Sequence, residues 1–373
     1  MGRATFSQDA YTQTMSAAHQ AGSHTYRGEE RQRQGLGLDP LVDPAGNGLI
    51  RRSLARKDKL ESGLWEMTIG TPMLVETLLD TTGSMGQNVR IALDVLPHAY
   101  DLFKESDRAV LGRYDLQMIT SIFGDVRDGY ILNRSHAEMA DKIAEQMTMM
   151  LPEGGGAGNG KEDPQYGLFA AAYLTAAETN GYGLKTYHFT ISDEPHYPHF
   201  DVSTLTRVFG KTLFEKLAEN GHVVTKGKLP DLAQVVADLK TRAHIFFLQV
   251  GERGGVYQQW SELYGEDRVV VLPDVSLLPQ VQAVIIGLTE GAIDLQLVEE
   301  FLLANKVSKE NAKQIARSVS RIPIGAQAVL PNFDKIPMAG DLFAEKTDLW
   351  PMSKSDAAAI VVAPTEAKVE SWL

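Results

Sequence analysis

Asp80, Thr82 and Ser84 stand at alternate positions in L-L-D-T-T-G-S-M-G-Q-N, residues Leu78–Asn88, where an apolar run gives way to a turn. In a loop just past a strand, oxygens spaced i, i+2, i+4 can turn toward one point. An acid and two hydroxyls placed this way suit a hard cation such as Mg²⁺, which takes oxygen ligands in a near-octahedral shell and keeps some waters. The alternative is local: Thr82 or Ser84 caps the helix that follows. Further on, K-T-Y-H-F-T-I-S-D-E-P (Lys185–Pro195) ends in a second acid, Asp193. Between the two lies a glycine-rich stretch with Asn159, Glu162 and Asp163. Two other chemistries share these segments. Gly155–Lys161 reads G-x-x-x-x-G-K, a phosphate-binding loop up to its last position, where Glu162 replaces the hydroxyl that would bind Mg²⁺. It also follows a predicted helix and not a strand. In E-P-H-Y-P-H-F, His196 and His199 lie three apart, near His188 and Asp193, and imidazole with carboxylate suits Zn²⁺. Two prolines make that segment irregular, so a rigid surface loop explains it equally.

The elements that would carry these residues alternate from Met73 onward. M-L-V-E-T-L-L-D (Met73–Asp80) is the first strand. Gln87–Lys104 has Val89, Leu93, Leu96, Tyr100 and Phe103 on one helical face, with Pro97 as a kink. Asp115–Asp125 is a second strand, Gly129–Asn133 a short third, and His136–Leu151 a helix. A helix runs through F-A-A-A-Y-L-T-A-A, and others cover Leu213–Asn220 and Leu229–Thr241. The strands Lys185–Pro195, H-I-F-F-L-Q-V and R-V-V-V-L-P complete the set. Near-continuous apolar strands between helices imply a mostly parallel sheet covered on both faces, a doubly wound α/β domain. Ligands of such sheets bind outside the carboxyl ends of the strands. That rule brings the loop after Asp80, the glycine-rich loop and Asp193 to one edge. Asp125, in F-G-D-V-R-D-G, ends another strand, where it either lines the same edge or, on the preferred reading, sits in a solvent-exposed turn.

This domain spans residues 69–290, between a polar N-terminal extension (1–68) and a helical, proline-containing C-terminal extension (291–373). Ser7–Gly37 has too few apolar residues to order itself without another surface. Leu295–Arg321 has helical spacing. Pro323–Trp350 reads as a strap whose Leu330, Phe333, Ile336, Met338, Leu342, Phe343 and Trp350 must dock on this domain or on a partner. The net charge of −12, spread along the chain, argues against nucleic acid as the main partner. With no cysteine, disulfides and thiolate metal sites are impossible, and a reducing, cytoplasmic setting fits. No apolar run is long enough for a membrane span, and no signal-peptide pattern opens the chain.

D-T-T-G-S-M-G resembles the D-x-S/T-x-S signature of the von Willebrand factor A domain family, in the D-x-T-G-S-M form common among its bacterial members. The resemblance extends in order of elements from Thr71 to Gly287. It implies a Rossmann-like domain with a metal-ion-dependent adhesion site. Asp80, Thr82 and Ser84 match its first loop and Asp193 its later acid. G-G-G-A-G-N-G-K-E-D-P-Q resembles the second loop, which in many members supplies a threonine. Here no Ser or Thr occurs from Glu153 to Gly167, so Asn159, Glu162 or Asp163 would supply the oxygen, and Glu162 or Asp163 is expected to face the metal. The implied ion is Mg²⁺, or Mn²⁺ or Ca²⁺. The implied role is binding and not catalysis. An ion held by hydroxyls and waters keeps positive charge and takes an Asp or Glu of a partner protein as its last ligand, a grip that an added carboxylate would weaken. Members of this kind often work beside an AAA+ ATPase, which makes a partner subunit of such a machine the alternative role.

Overall fold

Every residue of Pro72–Asp80 is buried, which a strand achieves only with both faces covered. In the computed structural model, which describes residues 27–45, 51–52, 56–59, 65–68, 71–106, 108–139, 141–152, 154, 160–251 and 254–335, this strand (β1) sits inside a six-stranded sheet. The others are β2 (Asp115–Phe123), β3 (Leu132–Arg134), β4 (Thr186–Ser192), β5 (Ala243–Val250) and β6 (Val269–Leu272). Their order is β6-β5-β4-β1-β2-β3. All neighbours are parallel except β3, which pairs antiparallel with β2. The fold is a Rossmann-like, doubly wound α/β arrangement.

Besides the single turn Glu178–Gly181, the helices in chain order are α1 (Arg27–Arg33), α2 (Asn88–Val95), α3 (Asp141–Met147), α4 (Gln165–Tyr173), α5 (Val202–Phe209) and α6 (Leu213–Glu219). They continue with α7 (Leu232–Arg242), α8 (Gly254–Tyr264), α9 (Leu278–Glu290), α10 (Val298–Ala304) and α11 (Lys309–Ser318). Alternate residues of β1 serve two cores. Val75 and Leu79 join Val89 and Leu93 of α2, Val284 and Ile285 of α9, and Leu302 and Ile315 of α10 and α11. Leu78 joins Phe169 of α4, Val235 of α7 and Trp260 of α8 on the other face. That second face also buries an ion pair: Arg134 of β3 donates from Nε to Glu76 Oε1 and from Nη2 to Glu76 Oε2, both at 2.9 Å.

The chain leaves β1 for β2 on one side and returns to place β4 on the other. The strand order therefore reverses between β1 and β4. Their carboxyl ends splay loops in opposite directions, and the crevice between them is where such folds bind ligands.

Several elements depart from the sequence reading. The helix expected over Gln87–Lys104 ends at Val95. Pro97 falls in a 3₁₀ turn (Leu96–His98), followed by a π-helical turn over Asp101–Glu105. Of His136–Leu151 only Asp141–Met147 is helical, because Glu138 exchanges two backbone hydrogen bonds with Met118 of β2. Helices α5, α8 and α9 had no sequence-based counterpart. In α9 nearly every position is buried, so no polar face marked it.

Residues 27–45 lie against the domain. Gly28 N donates to Thr148 O, and a Cβ there would meet Met150 O at 2.4 Å. Val42 is fully buried and its carbonyl accepts from Arg134 N. Residues 7–26 of the polar extension lie outside the described residues. At the other end, Leu330 and Phe333 of the strap pack on the first core. Ile336, Met338, Leu342, Phe343 and Trp350 fall outside the described residues. No helix among the described residues is long and apolar enough to cross a membrane.

Candidate metal centre

Met85 fixes the first loop. Its buried side chain drops into the first core, so the 3₁₀ turn Gly83–Met85 closes over the end of β1 and leaves Ser84 at the surface. Gly86 then reverses the chain at φ +52°, a left-handed value that favours glycine. Thr81 ties the loop to the neighbouring strand, with its N–H and its hydroxyl both donating to Phe123 O at 2.9 Å.

Neither Thr82 nor Ser84 caps a helix. Thr82 Oγ1 donates to Asp80 Oδ1 at 2.7 Å, the same oxygen that accepts from Thr82 N at 2.9 Å. Ser84 Oγ donates to Asp193 Oδ1 at 2.7 Å across the crevice, and lies 3.3 Å from Thr82 Oγ1. Asp80 Oδ2 accepts from Ser192 Oγ at 2.5 Å. The chain of contacts Ser192, Asp80, Thr82, Ser84 and Asp193 thus joins the ends of β1 and β4. Ser192 escaped the sequence reading, although its place beside Asp193 at a strand end and opposite Asp80 was a usable signal.

The second loop delivers Glu162 to this group and turns Asp163 away from it. Glu162 N donates to Pro195 O at 2.9 Å and Tyr197 N to Glu162 O at 3.3 Å, a short ladder that pins the loop to the segment after β4. Both oxygens of Asp163 are engaged elsewhere. Oδ2 accepts from Val126 N at 2.8 Å and Oδ1 from Gln165 Nε2 at 2.6 Å. Asp163 therefore anchors α4 to the loop after β2. Asn159 lies outside the described residues. Asp125 is not in a solvent-exposed turn. It is 1% exposed, and its Oδ1 accepts from Arg127 N while its Oδ2 is buried with no hydrogen-bond partner. Glu162 Oε2 is buried in the same condition.

The electrostatics follow from this crowding of acids. Burial raises Asp80 to about 6, against the hydrogen bonds from Ser192 and Thr82, and the charge of Asp193 adds to the rise. Burial, then the charges of Asp80 and Asp125, push Glu162 up to about 8. Burial also lifts Asp163 to about 6, opposed by Val126 N–H and Gln165.

Such a set fits a hard divalent cation. The donors are all oxygen, they come from three loops, and the burial that raises Asp80 and Glu162 would be opposed by a positive charge beside them. Among the described residues no three His, Asp or Glu side chains gather closely enough to hold an ion by themselves. Any ion here must therefore lean on Thr82 and Ser84 as well as Asp80. The histidines do not assemble a zinc set. His188 sits within the sheet, 3.9 Å from Glu76 Oε2, His196 packs edge-on against Trp260, and His199 is exposed.

No protein-family model and no curated protein matches this chain. Solved structures that match this chain include proximal thread matrix protein 1 from the mussel byssus, at 11% identity and TM-score 0.38, covering 59% of this chain and 48% of that one. The pilus adhesin SpaC from Lactobacillus rhamnosus GG is similar at 12% identity and TM-score 0.37, covering 63% of this chain and 34% of the adhesin. Its open conformation gives a TM-score of 0.35 at the same identity, with 62% and 33% covered. This chain thus spans less than half the length of each.

Proposed function

We propose that this chain is a von Willebrand factor A-type module that binds a partner protein through a divalent cation held at the β1–β4 crevice. The observation that carries the reading is the contact of Ser84 Oγ with Asp193 Oδ1 at 2.7 Å, between loops 109 residues apart, beside the buried Asp80–Thr82 pair. Asp80 and Asp193 would supply charge, Thr82 and Ser84 neutral oxygens, and Glu162 a nearby carboxylate. The ion would be Mg²⁺, Mn²⁺ or Ca²⁺. Ser84 stands at the exposed mouth, so the remaining coordination would open to solvent and take an Asp or Glu of the partner. The role is recognition and not catalysis, within a larger cytoplasmic assembly. An AAA+ ATPase beside which the module works is the alternative setting.

Two measurements test this. Titration calorimetry with Mn²⁺ should give a saturable heat in the parent that Asp80→Ala loses. A pull-down from cell extract should recover a partner with Mg²⁺ and lose it with EDTA. Equal heats for parent and Asp80→Ala would remove the crevice as the cation site.

A further inference from the structure

One helix face of this chain carries mainly the opposite sign to its net charge of −12, with exposed Glu310 the acid at its edge. On α11, Lys309, Lys313 and Arg317 recur every four residues, so they share one helical face, and all three are exposed. Lys306, in the turn before α11, is exposed too. At φ +63° it is the one described non-glycine residue in the left-handed region, a conformation glycine or asparagine takes with less strain. Among the described residues none of these four cations is in an ion pair.

The stripe runs on toward the edge of the sheet. Ser318 of α11 accepts from Val271 N of β6 at 2.8 Å, and Arg321 pairs with Glu266 at 2.6 Å, just before β6. Arg268 follows, over the ring of Phe246 and paired with Asp267. Lys185 and Lys240 lie within its field. Their ammonium groups rest on main-chain oxygens, Lys185 Nζ on Lys240 O at 2.6 Å and Lys240 Nζ on Leu263 O at 3.3 Å. Burial, and then the charge of Arg268, hold both lysines below the ordinary ammonium range. Arg268 is itself paired with Asp267, so these cations near the sheet edge are partly neutralised, whereas those of the α11 face are not.

We propose that this stripe, Lys306 with Lys309, Lys313 and Arg317 of α11, docks an acidic polypeptide segment of a partner protein. Charge complementarity selects acid, and the stripe's extent selects a short one. Lys309 to Arg317 spans about 12 Å of helix, which roughly four residues of extended chain would cover. A long nucleic acid would run off the stripe onto a surface that carries the chain's excess of acid. The stripe shares no residue with the cation centre, and the proposal stands apart from it.

The test uses the full chain and a fluorescent glutamate peptide of about five residues, read by anisotropy in EDTA. The parent should bind at about 50 mM salt and progressively lose the peptide toward about 300 mM, where exposed charges are screened beyond roughly 6 Å. Lys309→Glu with Lys313→Glu and Arg317→Glu should weaken binding by roughly tenfold or more. Lys211→Glu with Lys226→Glu and Lys228→Glu, the same change of net charge elsewhere, should leave it within about twofold. Absence of binding by the parent, or equal weakening by the two triple variants, overturns the proposal. So does an oligothymidylate of equal charge that binds more tightly than the peptide and loses affinity with the α11 variant.

Discussion

Asp80→Asn separates what the buried carboxylate does to stability from what it does for a cation. Asp80 is fully buried and its folded-state pKa is raised from 3.8 to about 6. The folded state thus holds this proton more tightly than the unfolded chain. Its contribution is most favourable below pH 4, declines as pH rises from 3.8 through about 6, and stays low above that. A gap of this size corresponds to about 3 kcal/mol. Asparagine has no proton to lose and keeps an acceptor for Thr82 N–H and Oγ1–H. Its amide obliges Ser192 to accept where it now donates, which gives back about 1 kcal/mol. In EDTA at pH 8 the variant should therefore be more stable than the parent by about 2 kcal/mol, and near pH 4 the order should invert, with the parent ahead by less than about 1 kcal/mol.

A cation reverses the order. Ligand at a hundred times its Kd stabilises the folded state by about 2.7 kcal/mol, and only the parent should receive this. Urea unfolding followed by tryptophan fluorescence, at pH 4 and pH 8, in EDTA and in Mg²⁺, gives the four comparisons. Trp260 is fully buried and supplies the signal. A variant no more stable than the parent in EDTA at pH 8, with the same response to Mg²⁺, would refute both the electrostatics and the site.

Two further perturbations examine the frame. Arg134→Met strands Glu76, 3% exposed, without its bidentate partner, and should cost about 3–5 kcal/mol in thermal denaturation, while adding Glu76→Met should recover most of the loss. Glu290 accepts from Tyr187 at 2.7 Å and Tyr114 at 2.9 Å, and burial raises it from 4.5 to about 7 in spite of those donors. Its stabilisation is present below pH 4.5 and is lost as pH climbs through about 7. Glu290→Gln should remove about 3 kcal/mol of that slope in urea unfolding across the same window, and an unchanged slope would contradict it.

The sequence carried the sheet because buried parallel strands leave near-continuous apolar runs, as Met73–Val75 with Leu78–Leu79 in β1 and Ile245–Leu248 in β5 do. It carried Asp80, Thr82, Ser84 and Asp193 because each stands within a few residues of a strand end. What it could not carry depends on contacts between distant segments. Glu162 and Asp163 are adjacent and equally acidic, and only the docking of Val126 N–H on Asp163 and of Glu162 on the segment after β4 tells them apart. Asp125 has the local grammar of a turn, F-G-D-V-R-D-G, and its burial comes from the second loop closing over it. Helix α9 lacked a polar face because the sheet and the α10–α11 pair enclose it.

The crevice holds more acid than a stable fold requires. Asp80, Asp125 and Glu162 are each at most 7% exposed, and Asp125 and Glu162 each leave an oxygen without a hydrogen-bond partner. Buried groups in native proteins are otherwise satisfied with few exceptions, and an exception calls for an explanation such as a strain reservoir or an ion. These two lie beside the carboxyl ends of parallel strands, where strand order reverses and folds of this class place ligands, while other unpartnered atoms such as Glu138 Oε2 lie elsewhere. Amides or apolar residues at these positions would relieve the electrostatic strain within the isolated chain. On the same sheet Glu76 has its bidentate Arg134, whereas the crevice gathers Asp80, Asp125 and Glu162 with no cationic side chain paired to them among the described residues, a cluster of strain where a function can use it. That contrast favours a ligand of positive charge over a purely structural cluster, and the comparison of Asp80→Asn in EDTA and in Mg²⁺ measures it directly.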